Sequence, residues 1–464
     1  MYKLPKRTKF TLESDSHFKF SLITVSAFWY LALFPGRLGF DYSEAIRIMQ
    51  RGESTDWWTA SYWWFLRLTS FNGQSIYLSS LVSLAVFGYS IYTLSESIPL
   101  SKRYTRRSSL ILFTTPIYGA FGLTVSHDVF QVSGIILFTA YQIREYTGSL
   151  KATRIEFSVL LLAACLVLTT QYGVFLIVLN FLLLLLQKRI RVAVGLLIFS
   201  VTYLVVTSIG VTSVPTYGAV LPILGDLKCV AQHPEAEISA EEWHQLGRFA
   251  PKDEWSVPTT CSIVDEQFKV MPSLKLAEVK VNAELVNLYL SIAHKNSAIV
   301  AMAHFQRASV ALPPPFFSGP LNQVELDPRI PIGQGTNTAL QSNAEVLHPS
   351  VDEPSVDINV KAFQVLEIPA QGLIFIVNQA SWFWGWGGLW LWPFTLFIIL
   401  ILKRRFKKST VTIFANTLVL HFLLLILAAP LPRYVMSTIV LGFYFSIVMA
   451  LRVYEVVVNG KRNQ

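Results

Sequence analysis

Two carboxylates stand beside apolar runs in this chain. Asp41 follows the first run closely, in Phe34-Pro35-Gly36-Arg37-Leu38-Gly39-Phe40-Asp41-Tyr42-Ser43-Glu44-Ala45. Asp128 ends the short turn Ser126-His127-Asp128 between two later runs. Ionisable groups at a bilayer edge are costly and usually face a cavity or a partner. A carboxylate so placed can take a proton from a hydroxyl, or hold a divalent metal that does equivalent work. Arg433, in Pro432-Arg433-Tyr434, opens the last apolar run. A guanidinium there suits bidentate binding of a lipid phosphate. Each group has a plainer alternative. Asp41 could cap a helix or pair with Arg37. Asp128 could start a helix, favoured by the helix dipole. Arg433 could snorkel to the interface.

The residues around these three extend the pattern. Ser43 is suited to cap a short helix through Arg51. The apolar positions Ala45, Ile46 and Met49 would lay that helix on the membrane plane. Asp56-Trp57-Trp58 and Trp63-Trp64 follow; tryptophans here form either an interfacial belt or a sugar-stacking surface. Further on, Leu285, Leu288, Ile292 and Ile299 recur at helical spacing within Ala277 to Arg307. His304 and Arg307 end that stretch and lead the chain back towards the membrane. His233 and His244 lack metal-ligand spacing, so no metal site is read from sequence.

The elements that must position these groups are transmembrane helices. Of 464 residues, 53% are hydrophobic and only 14% charged, and mean hydropathy is +0.47. Soluble chains carry about 25% charged residues, so lipid must be the solvent for much of this one. The net charge of +9 does not point to nucleic acid, because Lys and Arg cluster in short tracts between apolar runs, as the positive-inside rule expects.

About ten spans result, near 18–34, 76–94, 109–125, 129–144, two helices within 157–186, 192–211, 384–402, 411–429 and 434–453. The run from Phe157 to Leu186 is too long for one upright span, and Thr169 to Gly173 breaks it. A single long tilted helix is the alternative. With this count every basic tract, and both termini, falls on the cytoplasmic side of a cell membrane. The chain then divides into an N-terminal transmembrane module (1–211, with a first outer loop 35–75), a non-cytoplasmic segment (212–380) and a C-terminal transmembrane module (381–464). Of three cysteines, Cys165 lies in an apolar run. Cys229 and Cys261 fall in the outer segment, where oxidation would permit a disulfide.

This layout resembles the GT-C superfamily of integral membrane glycosyltransferases, in an uncharacterised bacterial branch. Phe34 to Asp41 and Asp56-Trp57-Trp58 look like the family's first outer loop, which carries an acidic residue and membrane-surface helices. Ser126-His127-Asp128-Val129-Phe130 is similar to its short second acidic turn. Pro432-Arg433-Tyr434 resembles the Arg-Tyr that opens a late span. Gln171 stands where relatives tend to carry Arg.

The resemblance implies an all-α polytopic fold. It also implies inverting transfer of a sugar from a polyprenyl-phosphate donor to a glycan, lipid or protein acceptor. Asp41 would be the base or a metal ligand, and Asp128 the second acid. Arg37, Arg307 and Arg433 would offset the donor phosphate. Glu44, Asp56, Trp57, Trp58, His127 and His304 would contact acceptor or sugar. A divalent cation, Mg or Mn, would be the cofactor if one is used. The rival readings are a transporter or flippase of a lipid-linked solute, and a non-catalytic receptor or assembly subunit.

Overall fold

The computed structural model describes residues 14–34, 36–38, 45–46, 48–49, 58–147, 154–209, 211, 220–259, 261, 270–275, 279–307, 366, 368–370, 372–373, 389–391, 393, 395, 413, 415–417 and 436–462. Among the described residues the molecule is mostly helical, almost without strands. The eighth and ninth expected spans lie largely outside the described residues.

The first helix, α1 (Asp15–Ala32), is followed by the two-residue strand β1 (Arg37–Leu38) and by α2 (Ala60–Thr69). Then come α3 (Tyr77–Ser97), α4 (Lys102–Phe113) and α5 (Pro116–Gly122). The expected third span is therefore two helices. Its interior Pro116 lacks an N–H donor and sits at the start of α5, where that loss is harmless. The strand β2 (Thr124–Val125) leads into α6 (His127–Thr147), α7 (Arg154–Val167), α8 (Gly173–Leu186) and α9 (Ile190–Ser208). The run from Phe157 to Leu186 is two helices joined by a turn at 168–172. The last described helix is α15 (Met436–Arg462), after α10–α14 of the segment between.

Three of these helices are long and apolar enough to cross a membrane: Tyr77–Ser97, Ile190–Ser208 and Met436–Glu455. Glu156–Val167 and Gly173–Leu186 are shorter apolar helices. Helix α9 buries only Ala193, Leu196 and Ser200. It exposes Val194, Leu197, Ile198, Val201, Val205 and Val206. An apolar face of this size does not persist in water, and lipid is its natural solvent.

The helices run back and forth between two chemically distinct ends. At one end ion pairs tie the basic connectors together. Arg106 reaches Glu96 at 2.9 Å and Asp15 at 3.2 Å, and Arg103 pairs with Glu455 at 3.0 Å. Arg144 pairs with Glu156 at 2.8 Å and Arg189 with Glu145 at 2.9 Å. The other end is built from neutral bonds. Tyr30 donates to the Tyr77 carbonyl at 3.2 Å, Ser61 to Leu168 at 2.9 Å, Thr59 to Thr169 at 2.8 Å and Trp64 to Thr207 at 2.9 Å.

Between α9 and α15 lies a unit with its own core. It comprises α10 (Leu221–Ala231), α11 (Ala240–Leu246), α12 (Lys252–Ser256), α13 (Ala283–Lys295) and α14 (Ser297–Arg307). Leu224, Leu227, Leu246, Trp255, Leu285, Leu288 and Ile292 fill that core. The stretch of helical periodicity that ends at Arg307 forms two helices, α13 and α14, parted at Asn296. There the Asn296 side chain accepts from the Glu237 N–H at 2.8 Å and donates to the Glu237 carbonyl at 3.0 Å. A side chain tied to a neighbouring segment in this way competes with helix continuation. Cys229 and Cys261 are joined in a disulfide, with Cα atoms 5.6 Å apart.

Candidate functional site

The site forms at the neutral end, where β1 and β2 pair in parallel with Arg37 opposite Thr124 and Leu38 opposite Val125. Gly36 makes the approach possible. Its φ is +124°, and a Cβ there would lie 1.7 Å from the Ser80 hydroxyl oxygen. Only glycine adopts such a conformation without strain and leaves Ser80 its space.

Directly after β2, Ser126 caps α6. Its hydroxyl oxygen accepts from the Asp128 N–H at 3.0 Å, and its hydroxyl donates to Asp128 Oδ2 at 2.9 Å. This satisfies an otherwise open donor of the first turn. It also fixes the Asp128 carboxylate where the helix dipole favours negative charge. Asp128 is 3% exposed. His127 Nε2 lies 3.5 Å from Asp128 Oδ1, and the imidazole remains partly open to solvent.

Tyr62 of α2 completes the cluster. Its ring meets His127 edge to face at 5.5 Å. Burial first, and then the Asp128 charge, push its phenol well above the ordinary tyrosine range. Phe65 and Phe130 close the wall beside it, with ring centroids 4.5 Å apart. Sequence reasoning missed Tyr62. The signal was its place one helical turn after Trp58 and before Leu66, on the apolar stripe of α2.

Two expectations for the first outer loop change here. Trp58 and Trp63 are buried at 6% and 0% exposure and meet edge to face at 5.6 Å. They belong to the core, neither to an interfacial belt nor to a sugar-stacking surface. Ala45, Ile46 and Met49 are buried in the same cluster, so these positions pack on protein and not on lipid. Asp41, Glu44, Asp56, Trp57 and Arg433 lie outside the described residues, and Arg37 is described by its backbone alone.

Arg307 and His304 do not join Asp128. Both turn onto Asp226 of α10, which is 2% exposed. Arg307 Nη2 donates to Asp226 Oδ1, His304 Nε2 lies 3.1 Å from Oδ2, and the Tyr289 hydroxyl donates to Oδ2 at 3.0 Å. Arg307 also donates to the Cys261 carbonyl at 3.3 Å. Arg307 is fully buried with its charge matched by Asp226, which corrects its expected role on a donor phosphate. His304 likewise faces Asp226 and not an acceptor.

Burial alone would raise the Asp226 carboxyl. The hydrogen bond from His304 and the nearby Arg307 and His304 charges outweigh it and hold Asp226 below the usual range. A lone acid inside the apolar run Leu221 to Ala231 was the available signal, because a buried charge needs a partner.

Among the described residues, no group of three or more His, Cys, Asp or Glu side chains is placed to hold a metal ion. No family model matches this chain, and no curated protein or solved structure matches it.

Proposed function

We propose that this chain is a multi-pass membrane glycosyltransferase of GT-C-like architecture. In this reading about ten spans cross a cell membrane, both termini are cytoplasmic, and residues 212–380 lie outside. The donor is a sugar on a polyprenyl-phosphate carrier, and the acceptor hydroxyl belongs to a glycan, lipid or protein.

The observation that carries the reading is the parallel pairing of β1 with β2. Asp41 follows Leu38 by three residues and Asp128 follows Val125 by three. Three residues of chain reach at most about 11 Å, so the pairing gives both carboxylates the same point of departure. That point lies at the end opposite the ion-paired basic connectors, as an extracytoplasmic site under the positive-inside rule requires. The Cys229–Cys261 disulfide supports an oxidising compartment for the segment between α9 and α15.

In the reaction, the Asp41 carboxylate takes the acceptor hydroxyl proton, directly or as the ligand of a divalent cation. The acceptor oxygen forms its bond to the anomeric carbon as the bond to the carrier phosphate breaks. A single displacement inverts that centre and releases polyprenyl monophosphate. Asp128, held by Ser126, orients the acceptor, and His127 and Tyr62 shape the space beside it. Arg37 and Arg433 offset charge on the leaving phosphate; Arg307 has no part in this step.

The test is an assay of the purified protein with a panel of polyprenyl-phosphate sugars, scoring release of the carrier phosphate. Release that is lost in Asp41→Asn and Asp128→Asn is expected. Release that survives both substitutions would overturn the assignment. One observation favours the assembly-subunit reading: the unit of α10–α14 has its own core, a disulfide and an internally matched charge cluster. Absence of release across the panel, with retained folding, would leave that reading in place.

A further inference from the structure

Helix α14 differs from the other helices of its unit. A helix at a protein surface turns an apolar stripe inwards and a polar face outwards. Among the described residues, α11 exposes Glu241 and His244, α12 exposes Lys252 and Asp253, and α13 exposes Glu284, His294 and Lys295. Helix α10 lies inside the unit and exposes no residue. Helix α14 buries Val300, Ala303 and Arg307. Its exposed positions are Ser297, Ala298, Ala301, Met302 and Phe305, and none of them carries a charge. Met302 is 58% exposed and Phe305 is 53% exposed.

Spacing makes one surface of four of these residues. Ala298, Ala301, Met302 and Phe305 stand at i, i+3, i+4 and i+7. At 3.6 residues per turn they fill one arc of about 100°, diametrically opposite the buried positions. Polar residues are confined to the sides of the helix. A helix that is apolar on opposite faces is ordinarily covered on both.

We propose that this outer arc rests on lipid, so that α14 seats the unit of α10–α14 on the bilayer surface at the neutral end of the transmembrane helices. Size argues against a protein as the cover. A stable interface takes about 20–30 residues from each partner. The arc offers four side chains on an 11-residue helix, and the exposed face of the neighbouring α13 is charged. Lipid asks for no such area and no matched shape. An apolar face sunk about 5–10 Å into the headgroup boundary suffices.

Charge and tether point the same way. From Leu221 to Arg307 every acidic residue precedes α14, and Glu235, Glu237, Glu241, Asp253 and Glu284 are exposed. Among the described surface helices of the unit, α14 alone meets an anionic headgroup layer without repulsion from a carboxylate of its own. Helix α9 ends at Ser208, at the neutral end, where Trp64 donates to the Thr207 carbonyl. Helix α10 begins at Leu221, and the chain between reaches at most about 47 Å. The unit therefore stays close to the bilayer that the apolar face of α9 calls for. The inference rests on the membrane reading and not on the transferase reading.

The experiment uses the full-length protein with its disulfide intact and Cys165 replaced by alanine, in vesicles of phosphatidylcholine and phosphatidylglycerol. One nitroxide at a time is attached at Met302→Cys, Phe305→Cys, and the controls Glu241→Cys and Asp253→Cys. Oxygen concentrates in lipid, whereas a nickel chelate stays in water. The ratio of oxygen to nickel collisions should be severalfold higher at 302 and 305 than at 241 and 253. Equal ratios would overturn the proposal. Shielding of 302 and 305 from both reagents would also overturn it, because protein (a second copy or another segment of this chain) would then cover the arc.

A second arm leaves the arc unlabelled and places the nitroxide beside it, at Gln306→Cys. Adding Met302→Asp and Phe305→Asp should raise nickel contact at that label severalfold. Both side chains point away from the unit's core, so the disulfide should still form. Unchanged contact in the folded variant would count against docking. If the labels report lipid and no donor is turned over, docking stands and the transferase reading alone fails. If transfer occurs while the labels report water, docking alone fails.

Discussion

Among the described residues two aspartates are buried, and the molecule treats them differently. Asp226 is met by a guanidinium, an imidazole and a phenol within its own unit. Its charge is matched and its oxygens are occupied by donors from α13 and α14, so it joins helices. Asp128 is held by the hydroxyl of its own helix cap and flanked by the adjacent histidine. The cap fixes the direction of its carboxylate at the start of α6. The first pattern is what a folded unit needs to tolerate buried charge. The second suits a group that orients a ligand, a carboxylate of fixed geometry.

The sharpest way to break this comparison is to neutralise each acid's function separately. Asp128→Asn keeps an acceptor for Ser126 and should leave the unfolding temperature close to wild type. Sugar transfer should fall by about 10²-fold, the usual cost of a misplaced reactant. Carrier-phosphate release and thermal unfolding on the same preparation check both halves. A variant that unfolds many degrees early would place Asp128 with Asp226 as a structural acid.

Arg307→Met tests the other side. It strands the Asp226 carboxylate without its main cation, and breaking a buried pair from one side costs about 3–5 kcal/mol. Adding Asp226→Leu to Arg307→Met should recover a large part of that loss, because no buried charge then remains. Urea unfolding of the three proteins gives the comparison directly. The disulfide belongs to the same unit and should follow closely. Replacing Cys229 and Cys261 with alanine opens a loop of sequence separation 32, and the loop-closure estimate for that length is about 3–4 kcal/mol.

The sequence carried these two regions unequally. The bundle was readable because apolar runs and basic tracts alternate, and the ion pairs of Arg106, Arg144 and Arg189 gather those tracts at one end. The Ser126-His127-Asp128 turn was readable too, since three polar residues between apolar runs leave few alternatives. The burial of Trp58 and Trp63 was not. An apolar stripe facing lipid and one facing protein have the same composition, because lipid tails are as apolar as a core. The fate of Arg307 was hidden for another reason. Its partner lies 81 residues away, and local spacing holds no record of a contact made only when α10 and α14 pack. The pairing of β1 with β2 is equally nonlocal, and two-residue strands leave no alternation to detect.

The smallest effects should come from pH, and they also fall on the unit of α10–α14. Burial would raise the Glu242 carboxyl, but hydrogen bonds from Lys295, the Ser239 N–H and the Ser291 hydroxyl outweigh it and hold it down to about 2. Its folded value lies below its ordinary one of 4.5, so its contribution is complete above about pH 4.5 and is lost as pH falls towards 2. Lys228 works in the opposite range. Its ammonium is buried against the carbonyls of Trp255 and Val257, and burial pushes it down to about 8 from 10.5. Between those values the unfolded chain holds a proton that the folded unit has released. Stability therefore rises as pH climbs from about 8 to 10.5. Urea titrations of fluorotryptophan-labelled full-length protein, read at the Trp255 resonance, should show a midpoint that drops below pH 4.5 and climbs above pH 8. Glu242→Gln should remove the acid limb and leave the alkaline one. The same titration read at Trp63, in the core of the first outer loop, should show neither limb if the two regions are as different in kind as their aspartates.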